Sequence, residues 1–258
     1  MAFVFDKQRP LLMAMVQEAT KEGALELIEK AHKDGADCFG IQLEDLLPQY
    51  RTLDCIKQIY SACAGKPIYT TSYRVRNNKG LSDEACMELL LLGAKAGADL
   101  CDMMGDTFDP QPHELTFDEN AIARQKEYME KIRSCGAQVL ISSHTHAHLS
   151  ADEVLRYAHA QKERGADVVK IVNFSNTRDE LNESMEMIFR LEKEMEGTPY
   201  LFLTGGKTSG PVRQLGPMFG VCVYLCVVER REGYVKEQPI LRVMKQIRDN
   251  LVFLPENS

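Results

Sequence analysis

Short apolar runs alternate with amphipathic segments along most of the chain. The runs lie near 11–16, 37–43, 67–72, 98–103, 137–143, 166–172, 199–204 and 219–227. Between them, apolar residues recur at helical spacing over 22–34, 82–96, 119–134, 151–164 and 179–196. Short continuous apolar runs are typical of parallel strands that are buried on both faces. The pattern therefore predicts eight strands that alternate with helices.

A recurring phrase marks several of the predicted junctions between a helix and the next strand. It reads KDGADCFGIQL from Lys33, KAGADLCDMM from Lys95, SCGAQVLISS from Ser134 and ERGADVVKIV from Glu163. Glycine adopts the left-handed backbone conformation that ends a helix, so we expect each of these glycines to follow a helix directly. Ser82 and Ser150, each close to acidic residues, are typical helix N-caps.

Eight strand–helix units over 258 residues predict an α/β protein with a (β/α)8 TIM barrel. A doubly wound open sheet is the alternative, and it ranks second because no Gly-x-Gly-x-x-Gly motif follows the first strand. No stretch rich in Pro, Gly and Ser divides the chain. We therefore predict a single domain over residues 1–258.

Charge and apolar content narrow the possible partners. The 31 Lys and Arg residues are scattered among 38 Asp and Glu residues, which argues against a nucleic acid or a membrane surface as a partner. No apolar run reaches the roughly 18 residues that a membrane helix needs, and MAFVFDKQRP lacks the layout of a signal peptide. The eight cysteines include no Cys-x-x-Cys pair. We expect a cytoplasmic protein with reduced thiols.

Lys170 and His144 are the candidates for catalysis, because the active site of such a barrel lies at the C-terminal ends of its strands. Lys170 lies in the apolar run ADVVKIVNF, and a desolvated lysine amine can attack a carbonyl group. The alternative is a structural lysine that pairs with a carboxylate such as Glu44 or Asp102. His144 ends the previous strand and can act as the acid and base; a merely polar loop histidine is the alternative.

Alternate histidines suggest a second class of chemistry. His144, His146 and His148 would face one way in an extended stretch and could bind a metal, as in a metal-dependent barrel hydrolase. We expect no metal, because a metal site usually needs a further ligand and a supporting shell. The hydrolase stays the alternative of another class.

Two arginines are candidate anion ligands. The loop TGGKTSGPVR from Thr204 can hold a phosphate or a carboxylate, and Arg213 supplies the forked geometry that a carboxylate prefers. Arg74 follows the apolar run PIYTTSY and is a second candidate for an anion or a hydroxyl. Lys207, in the same loop as Arg213, is a weaker candidate because such loops are often solvated.

In this order, these residues resemble the type I 3-dehydroquinate dehydratase family. SSHTH resembles the family's S-x-H-D-F segment, GADVVKI its lysine strand, TTSYR its T-x-R segment, and RQLGPMFG its R-x-x-x-x-x-F-G pattern. Gln238 resembles the glutamine of the last strand–helix loop. Each motif is weak alone, and their joint order on a barrel is fairly specific.

The resemblance implies dehydration of 3-dehydroquinate to 3-dehydroshikimate, a step of the shikimate pathway in aromatic amino acid biosynthesis. It assigns an imine with the substrate ketone to Lys170, proton transfer to His144 and the substrate carboxylate to Arg213. Arg74 and Gln238 would aid binding. It implies a small carboxylated carbonyl substrate, no metal or organic cofactor, and a homodimer.

The sequence departs from the family pattern where the ring hydroxyls are bound. An ungapped match places Gly40, Gln42 and Glu44 at the family's Glu, Arg and Asp of the second strand, and we expect Gln42 and Glu44 to bind substrate there. The family's Glu that supports the histidine falls near Asn78, and the Asp after the histidine is Thr145. Tyr234 stands near the position of the family's Ser. These changes keep open a class I aldolase or lyase that acts on a different small oxo-acid.

Overall fold

The computed structural model describes residues 3, 5, 9–232, 234 and 236–250. In this part of the chain eight strands alternate with eight α-helices. The strands are β1 (Leu11–Val16), β2 (Cys38–Gln42), β3 (Ile68–Thr71), β4 (Leu100–Met104), β5 (Gln138–His144), β6 (Val168–Phe174), β7 (Tyr200–Gly205) and β8 (Val223–Cys226). The helices are α1 (Lys21–Lys33), α2 (Leu53–Ser61), α3 (Asp83–Ala96), α4 (Glu119–Ser134), α5 (Ala151–Arg164), α6 (Arg178–Glu194), α7 (Gly210–Leu215) and α8 (Leu241–Asn250).

The strands form one sheet that curves into a nearly closed barrel. Their order is β7-β6-β5-β4-β3-β2-β1-β8, and each strand pairs in parallel with its neighbours in this order. Across the seam between β7 and β8, the Cys222 N–H donates to the Tyr200 carbonyl at 3.0 Å. The predicted (β/α)8 barrel is confirmed. The predicted single domain over 1–258 includes residues 251–258, which lie outside the described residues.

The recurring glycine phrase ends helices as predicted. Its four glycines have φ angles of +87°, +109°, +90° and +105° at Gly35, Gly97, Gly136 and Gly165. These values lie in the left-handed region, where a side chain would be strained. Each glycine therefore lets the chain leave its helix and enter the next strand directly.

The predicted N-caps are present at the starts of α3 and α5. The Ser82 Oγ accepts a hydrogen bond from the Ala85 N–H at 3.2 Å. The Ser150 N–H donates to the Glu153 carboxylate at 2.9 Å, as in a capping box. These caps satisfy backbone groups that the first helical turn leaves without partners.

Three helices and one strand boundary differ from the predicted pattern. Helices α2, α7 and α8 have only 9, 6 and 10 residues, too few for a clear helical period. The strand predicted over 219–227 begins only at Val223, because Gly216–Phe219 forms a 3-10 turn with Pro217 near its start. A proline has no N–H to donate to a sheet.

The core has two layers that meet at the strands. Alternate residues of β1 illustrate this division, since Met13 and Met15 face the barrel interior while Leu12 and Ala14 pack against the helices. The interior is mainly apolar. Lys170 and Asp102 are the charged exceptions within its strands, and both are buried. Such buried charges are costly unless paired, so they mark the place where the fold positions chemistry.

Within the described ranges, no helix has the combination of length and apolar character that crossing a bilayer requires.

Candidate active site

Lys170 lies in the middle of β6 with only 3% of its surface exposed. Its Nζ donates hydrogen bonds to the hydroxyl of Tyr73 at 2.7 Å, to that of Tyr69 at 3.0 Å and to Asp102 Oδ2 at 3.0 Å. The barrel brings these groups together. Tyr69 lies on β3, Asp102 lies on β4, and Tyr73 is the second residue after β3. The amine is thus held by three oxygen atoms and desolvated by the barrel.

Asp102 is the negative partner of this lysine. Its carboxylate accepts from the hydroxyls of Tyr69 and Tyr73 as well as from Lys170, and its other oxygen accepts from Ser142 Oγ at 2.5 Å. Burial alone would raise the pKa of Asp102, but the lysine charge and the three hydroxyl hydrogen bonds lower that pKa below its ordinary value. The carboxylate pairing that the sequence left open therefore exists, and its partner is Asp102. Glu44 lies elsewhere.

His144, at the end of β5, is supported by Glu114 from the loop between β4 and α4. Its Nδ1 lies 2.6 Å from Glu114 Oε2, and the His144 backbone N–H donates to the same oxygen at 3.2 Å. A carboxylate beside Nδ1 favours the tautomer that carries its proton there, which leaves Nε2 free to accept a proton. Burial would raise the pKa of Glu114, but the charge and hydrogen bonds of His144 lower it below its ordinary value.

Glu114 reaches His144 because its loop is held at both ends. The backbone at Glu114 has φ +51°, in the left-handed region that non-glycine residues rarely adopt. Arg164, at the end of α5, donates to the carbonyls of Gly105 and Thr116 at 2.6 Å each. This buried guanidinium joins the start of the loop to its end, so the unusual conformation of Glu114 is imposed by its surroundings.

Arg74 holds the start of the same loop through Asp106. Its guanidinium donates to the carboxylates of Asp83 and Asp106, at 2.9 Å for the nearest Asp106 oxygen, and to the Asp106 carbonyl at 3.0 Å. Asp106 is the second residue after β4. The sequence predicted that Arg74 would bind an anion or a hydroxyl group. In the structure its guanidinium instead binds these two aspartates.

A cavity of about 260 Å³ opens above Lys170 at the C-terminal ends of the strands. The predicted site residues that line it are Lys170, His144, Arg213, Gln42 and Gln238. Tyr69, Tyr73, Thr145 and His146 contribute to the wall as well. Neither Arg74 nor Glu44 is among its lining residues. The structure thus brings five of the seven predicted residues together around one space.

Arg213 contributes a buried positive charge to the cavity. It lies in α7 with 6% of its surface exposed, and its Nε donates to the Thr204 carbonyl at 2.6 Å. Burial lowers the pKa of Arg213 to about 10, against the opposing charge of Glu237, so the side chain stays charged at neutral pH. A charge in such a poorly solvated place acts strongly on a bound anion. Lys207, in contrast, is exposed.

The second strand shapes an apolar part of the cavity wall. A side chain at Gly40 would overlap with Met15 Sδ, so the glycine makes room for Met15, which lines the cavity. Gln42 Nε2 donates to Glu44 at 3.0 Å, while Gln42 Oε1 is buried without a partner among the described residues. Met15 thus occupies space beside the position where the family pattern has a Glu.

Glu44 supports Gln42 from beneath the cavity, although we expected it to contact substrate. It is fully buried, and its carboxylate accepts from Thr71 Oγ1 at 2.8 and 2.9 Å. Burial raises the pKa of Glu44 from 4.5 to about 7, with the hydrogen bonds from Thr71 and Gln42 opposing this shift. The chain turns directly after β2, and the Glu44 side chain lies in the core.

The raised pKa of Glu44 predicts a loss of stability as pH rises. The folded protein favours protonated Glu44, so its contribution is complete below pH 4.5 and is lost as pH rises to about 7. Between about pH 4 and pH 8, ionisation of Glu44 should cost the wild type about 3 kcal/mol in free energy of unfolding. Glu44→Gln lacks this group, so its stability relative to the wild type should rise by the same amount over this range. Urea unfolding at both pH values measures this difference. An identical pH dependence in variant and wild type would contradict it.

Gln238 lines the cavity, whereas Tyr234 and Asn78, at two of the altered family positions, do not. Gln17 Nε2 donates to Gln238 at 3.3 Å, which holds Gln238 at the cavity wall. Tyr234 donates to Glu18 at 2.7 Å and does not line the cavity. Asn78 is buried and donates to Ser72 at 3.1 Å, also away from the cavity. Of these residues, Gln238 is the one placed at the cavity wall.

The three alternate histidines take separate partners. His148 lies 2.7 Å from the Phe174 carbonyl and 2.9 Å from Glu183, His144 contacts Glu114, and His146 is exposed. In the part of the chain that the structure describes, no group of three or more His, Cys, Asp or Glu side chains is placed to hold a metal ion. This geometry gives no support to the metal-dependent hydrolase.

Sequence reasoning missed Tyr69, Tyr73 and Glu114. A signal existed for the tyrosines, because residues 69, 71 and 73 alternate along an extended segment and face one side. Thr71 and Tyr69 belong to β3, which leads toward the cavity. Glu114 had no such signal, since it lies in an irregular loop whose path depends on distant contacts. The role of its carboxylate became visible only from the fold.

A (β/α)8 barrel with a buried lysine on β6 and a carboxylate-supported histidine on β5 defines a class of barrel enzymes that form Schiff bases. The family model described as "Type I 3-dehydroquinase" matches residues 12–251, and the chain belongs to this family. Its members are dehydratases, carbon–oxygen lyases that act through a Schiff base. Their reaction belongs to the shikimate pathway. Family membership also confirms the resemblance drawn from the sequence motifs.

Solved structures agree with the barrel fold at low sequence identity. The 3-dehydroquinate dehydratase of Geobacillus kaustophilus HTA426 is 16% identical, with a TM-score of 0.78 over 93% of this chain and 90% of that one. The type I enzyme of Clostridium difficile, in a structure with covalent modified comenic acid, is 14% identical, with a TM-score of 0.81 over 96% and 94%. The 3-dehydroquinate dehydratase of Enterococcus faecalis is 14% identical, with a TM-score of 0.76 over 96% of this chain and 97% of that one. No curated protein matches the chain in sequence.

Proposed function

We propose that this chain dehydrates a small carboxylated oxo compound through an imine on Lys170, with 3-dehydroquinate as the first candidate. The observation that carries the proposal is the buried Lys170 amine at the base of a cavity that His144 and Arg213 also line. Membership of the type I 3-dehydroquinase family supports the same reaction.

The arrangement supports a sequence of balanced steps. The Lys170 nitrogen adds to the ketone carbon, and loss of water gives a protonated imine that withdraws electrons from the neighbouring carbon. His144 Nε2 removes a proton from that carbon, and the electron pair moves into the imine to form an enamine. The enamine expels the β-hydroxyl group, which leaves as water with the proton from His144. Hydrolysis of the remaining imine releases the unsaturated ketone and restores Lys170.

Arg213 is the proposed ligand of the substrate carboxylate. We expect Arg213→Ala to raise KM by about 100-fold with a smaller change in kcat, since a charge-assisted hydrogen bond contributes about 1.5–3 kcal/mol. Steady-state kinetics with 3-dehydroquinate measure both constants. Lys207→Ala is the matched control, because it removes an exposed positive charge from the same loop. An unchanged KM in Arg213→Ala would place the carboxylate elsewhere.

The assay that tests the reaction follows the absorbance of the conjugated product after addition of 3-dehydroquinate. Turnover by the wild type supports dehydration of this substrate. Turnover of another oxo-acid instead would support the second candidate, a class I aldolase or lyase on a different small oxo-acid. The Met15 side chain, which packs against Gly40, favours that candidate. This apolar part of the cavity wall suits a substrate with fewer hydroxyl groups on that side.

We also propose a cytoplasmic location and a homodimer, without nucleic acid or membrane partners. The acidic composition and the scattered basic residues support the choice of partners. The dimer follows from the family resemblance and from the common use of two-fold symmetry. Light scattering after size-exclusion chromatography tests it, with a mass of about twice 29.2 kDa expected. A monomer mass would contradict the dimer.

A further inference from the structure

We infer that Tyr73 is a further catalytic residue, which relays protons between Asp102 and the substrate carbonyl oxygen while the imine on Lys170 forms. This inference rests on the proposed function. It assigns to one hydroxyl group the steps that precede the chemistry of His144.

The Tyr73 hydroxyl lies between the reactive amine, the buried carboxylate and the open cavity. It accepts from Lys170 Nζ at 2.7 Å and donates to Asp102 Oδ2. Tyr73 is half-buried and lines the cavity. Its ring packs edge-on against the ring of His144, with centroids 5.1 Å apart. A carbonyl group that approaches Lys170 from the cavity therefore comes close to this hydroxyl.

Asp102 needs such an intermediary because it has little access to the cavity. Only 1% of its surface is exposed, and it is not a lining residue. One oxygen faces Lys170 and the two tyrosine hydroxyls, while the other accepts from Ser142. Because Tyr73 contacts both this carboxylate and the cavity, its hydroxyl provides a route by which a proton from Asp102 can reach a bound substrate.

Tyr73 is suited to relay a proton because it remains neutral at rest. Burial and the charge of Asp102 raise the pKa of Tyr73 well above its ordinary value, so its hydroxyl stays protonated. A hydroxyl can give one proton to an acceptor while it takes another from a donor. It then ends each transfer in the form in which it began.

The relay balances every proton of imine formation. The Lys170 ammonium first gives one proton to Asp102, and the freed nitrogen pair adds to the carbonyl carbon. The carbonyl oxygen takes the Tyr73 proton, and the new nitrogen cation returns one to Tyr73, which gives a neutral carbinolamine. The nitrogen pair then expels the hydroxyl group, which leaves as water with a second Tyr73 proton. Asp102 replaces that proton, so ammonium and ketone have become iminium and water.

Tyr69 provides a matched control for this role. Its hydroxyl also accepts from Lys170 Nζ, at 3.0 Å, and also donates to Asp102. Both tyrosines line the cavity, but Tyr69 belongs to β3 and is only 1% exposed, whereas Tyr73 is half-buried, so Tyr69 is less accessible to substrate. Tyr69→Phe and Tyr73→Phe therefore remove equivalent contacts with the ion pair, and they differ in access to the cavity.

The test is the rate at which borohydride traps a covalent adduct after rapid mixing with 3-dehydroquinate, or with pyruvate and 4-oxopentanoate. We expect Tyr73→Phe to slow adduct formation by about 100-fold or more, within the usual range for general acid–base catalysis. We expect Tyr69→Phe to slow it by less than about 10-fold. Thermal unfolding of both variants verifies that each is folded, and a loss of folding in Tyr73→Phe alone would contradict the equivalence on which the relay rests.

The outcomes distinguish this inference from the function on which it rests. Equal rates in Tyr73→Phe and wild type would overturn the relay and leave the Schiff base intact. Equal slowing in both variants would show that the tyrosines only hold the ion pair, which also overturns the relay. No adduct in the wild type with any of the three ketones would overturn the proposed function and the relay together.

Discussion

Lys170→Ala is expected to lower kcat by about 10,000-fold or more, and Lys170→Arg is expected to give no recovery. The amine that forms the imine is absent from both variants, and a guanidinium cannot replace it although it keeps the positive charge. Losses of this size are typical when an enzyme loses the residue that forms its covalent intermediate. Steady-state turnover measures the effect, with Lys207→Ala as a control for loss of a lysine outside the barrel.

The two Lys170 variants together separate catalysis from folding. Lys170→Ala leaves the buried Asp102 without its positive partner, and breaking a buried ion pair costs about 3–5 kcal/mol. Lys170→Arg retains a cation there, so a folded but inactive Lys170→Arg protein isolates the chemical role. Appreciable turnover in either folded variant would contradict the Schiff-base mechanism.

Glu114→Gln is expected to lower kcat by about 1,000-fold with little change in KM. The amide lacks the charge that stabilises a protonated imidazole, and it no longer selects the tautomer with Nε2 free to accept a proton. Loss of a carboxylate that orients a catalytic histidine is known to cost up to about 10,000-fold in serine proteases. Steady-state kinetics measure the change, and the effect should fall on kcat because Glu114 is not among the residues that line the cavity.

Glu119→Gln is the control for this prediction. Glu119 is an exposed carboxylate in the first turn of α4, five residues after Glu114 in the sequence. Its replacement removes one negative charge and leaves the contact between Glu114 and His144 in place. We expect activity close to that of the wild type. A Glu114→Gln protein with unchanged kcat would show that His144 needs no support, or that another residue is the base.

The barrel was predictable because its signals are local. Each Gly-Ala phrase joins a helix end to a buried strand within a few residues, and the observed glycines have the left-handed backbone that this junction needs. The short helix α7 was not predictable, since its six residues include Gly210 and Pro211 and lie in what reads as a flexible loop. Its formation depends on packing against neighbouring strands.

Part of the site was predictable for the same reason. Lys170 and His144 lie on strands, so their position in an apolar run indicates that they reach one end of the barrel. Arg74 and Glu44 lie just after strands, where a turn of the chain decides whether a side chain meets the cavity or the core. Arg74 turns to Asp83 and Asp106, which no local pattern indicates.

The support of the histidine shows how a site can keep its chemistry while its sequence motif changes. The family pattern places a Glu near Asn78, and this chain places no carboxylate there. Glu114 reaches His144 from the next strand–helix loop instead, and Arg164 holds that loop in place. The histidine thus has a carboxylate partner from another loop, while Gly40, Met15 and Gln42 shape the cavity wall.

The most direct test of the central claim is mass spectrometry of the intact protein after incubation with 3-dehydroquinate and borohydride. We expect a single covalent adduct, which peptide mapping places on Lys170 and which Lys170→Arg does not form. An adduct on another lysine would contradict the assignment of Lys170. A folded protein that forms no adduct with 3-dehydroquinate, pyruvate or 4-oxopentanoate would contradict the Schiff-base chemistry proposed for this cavity.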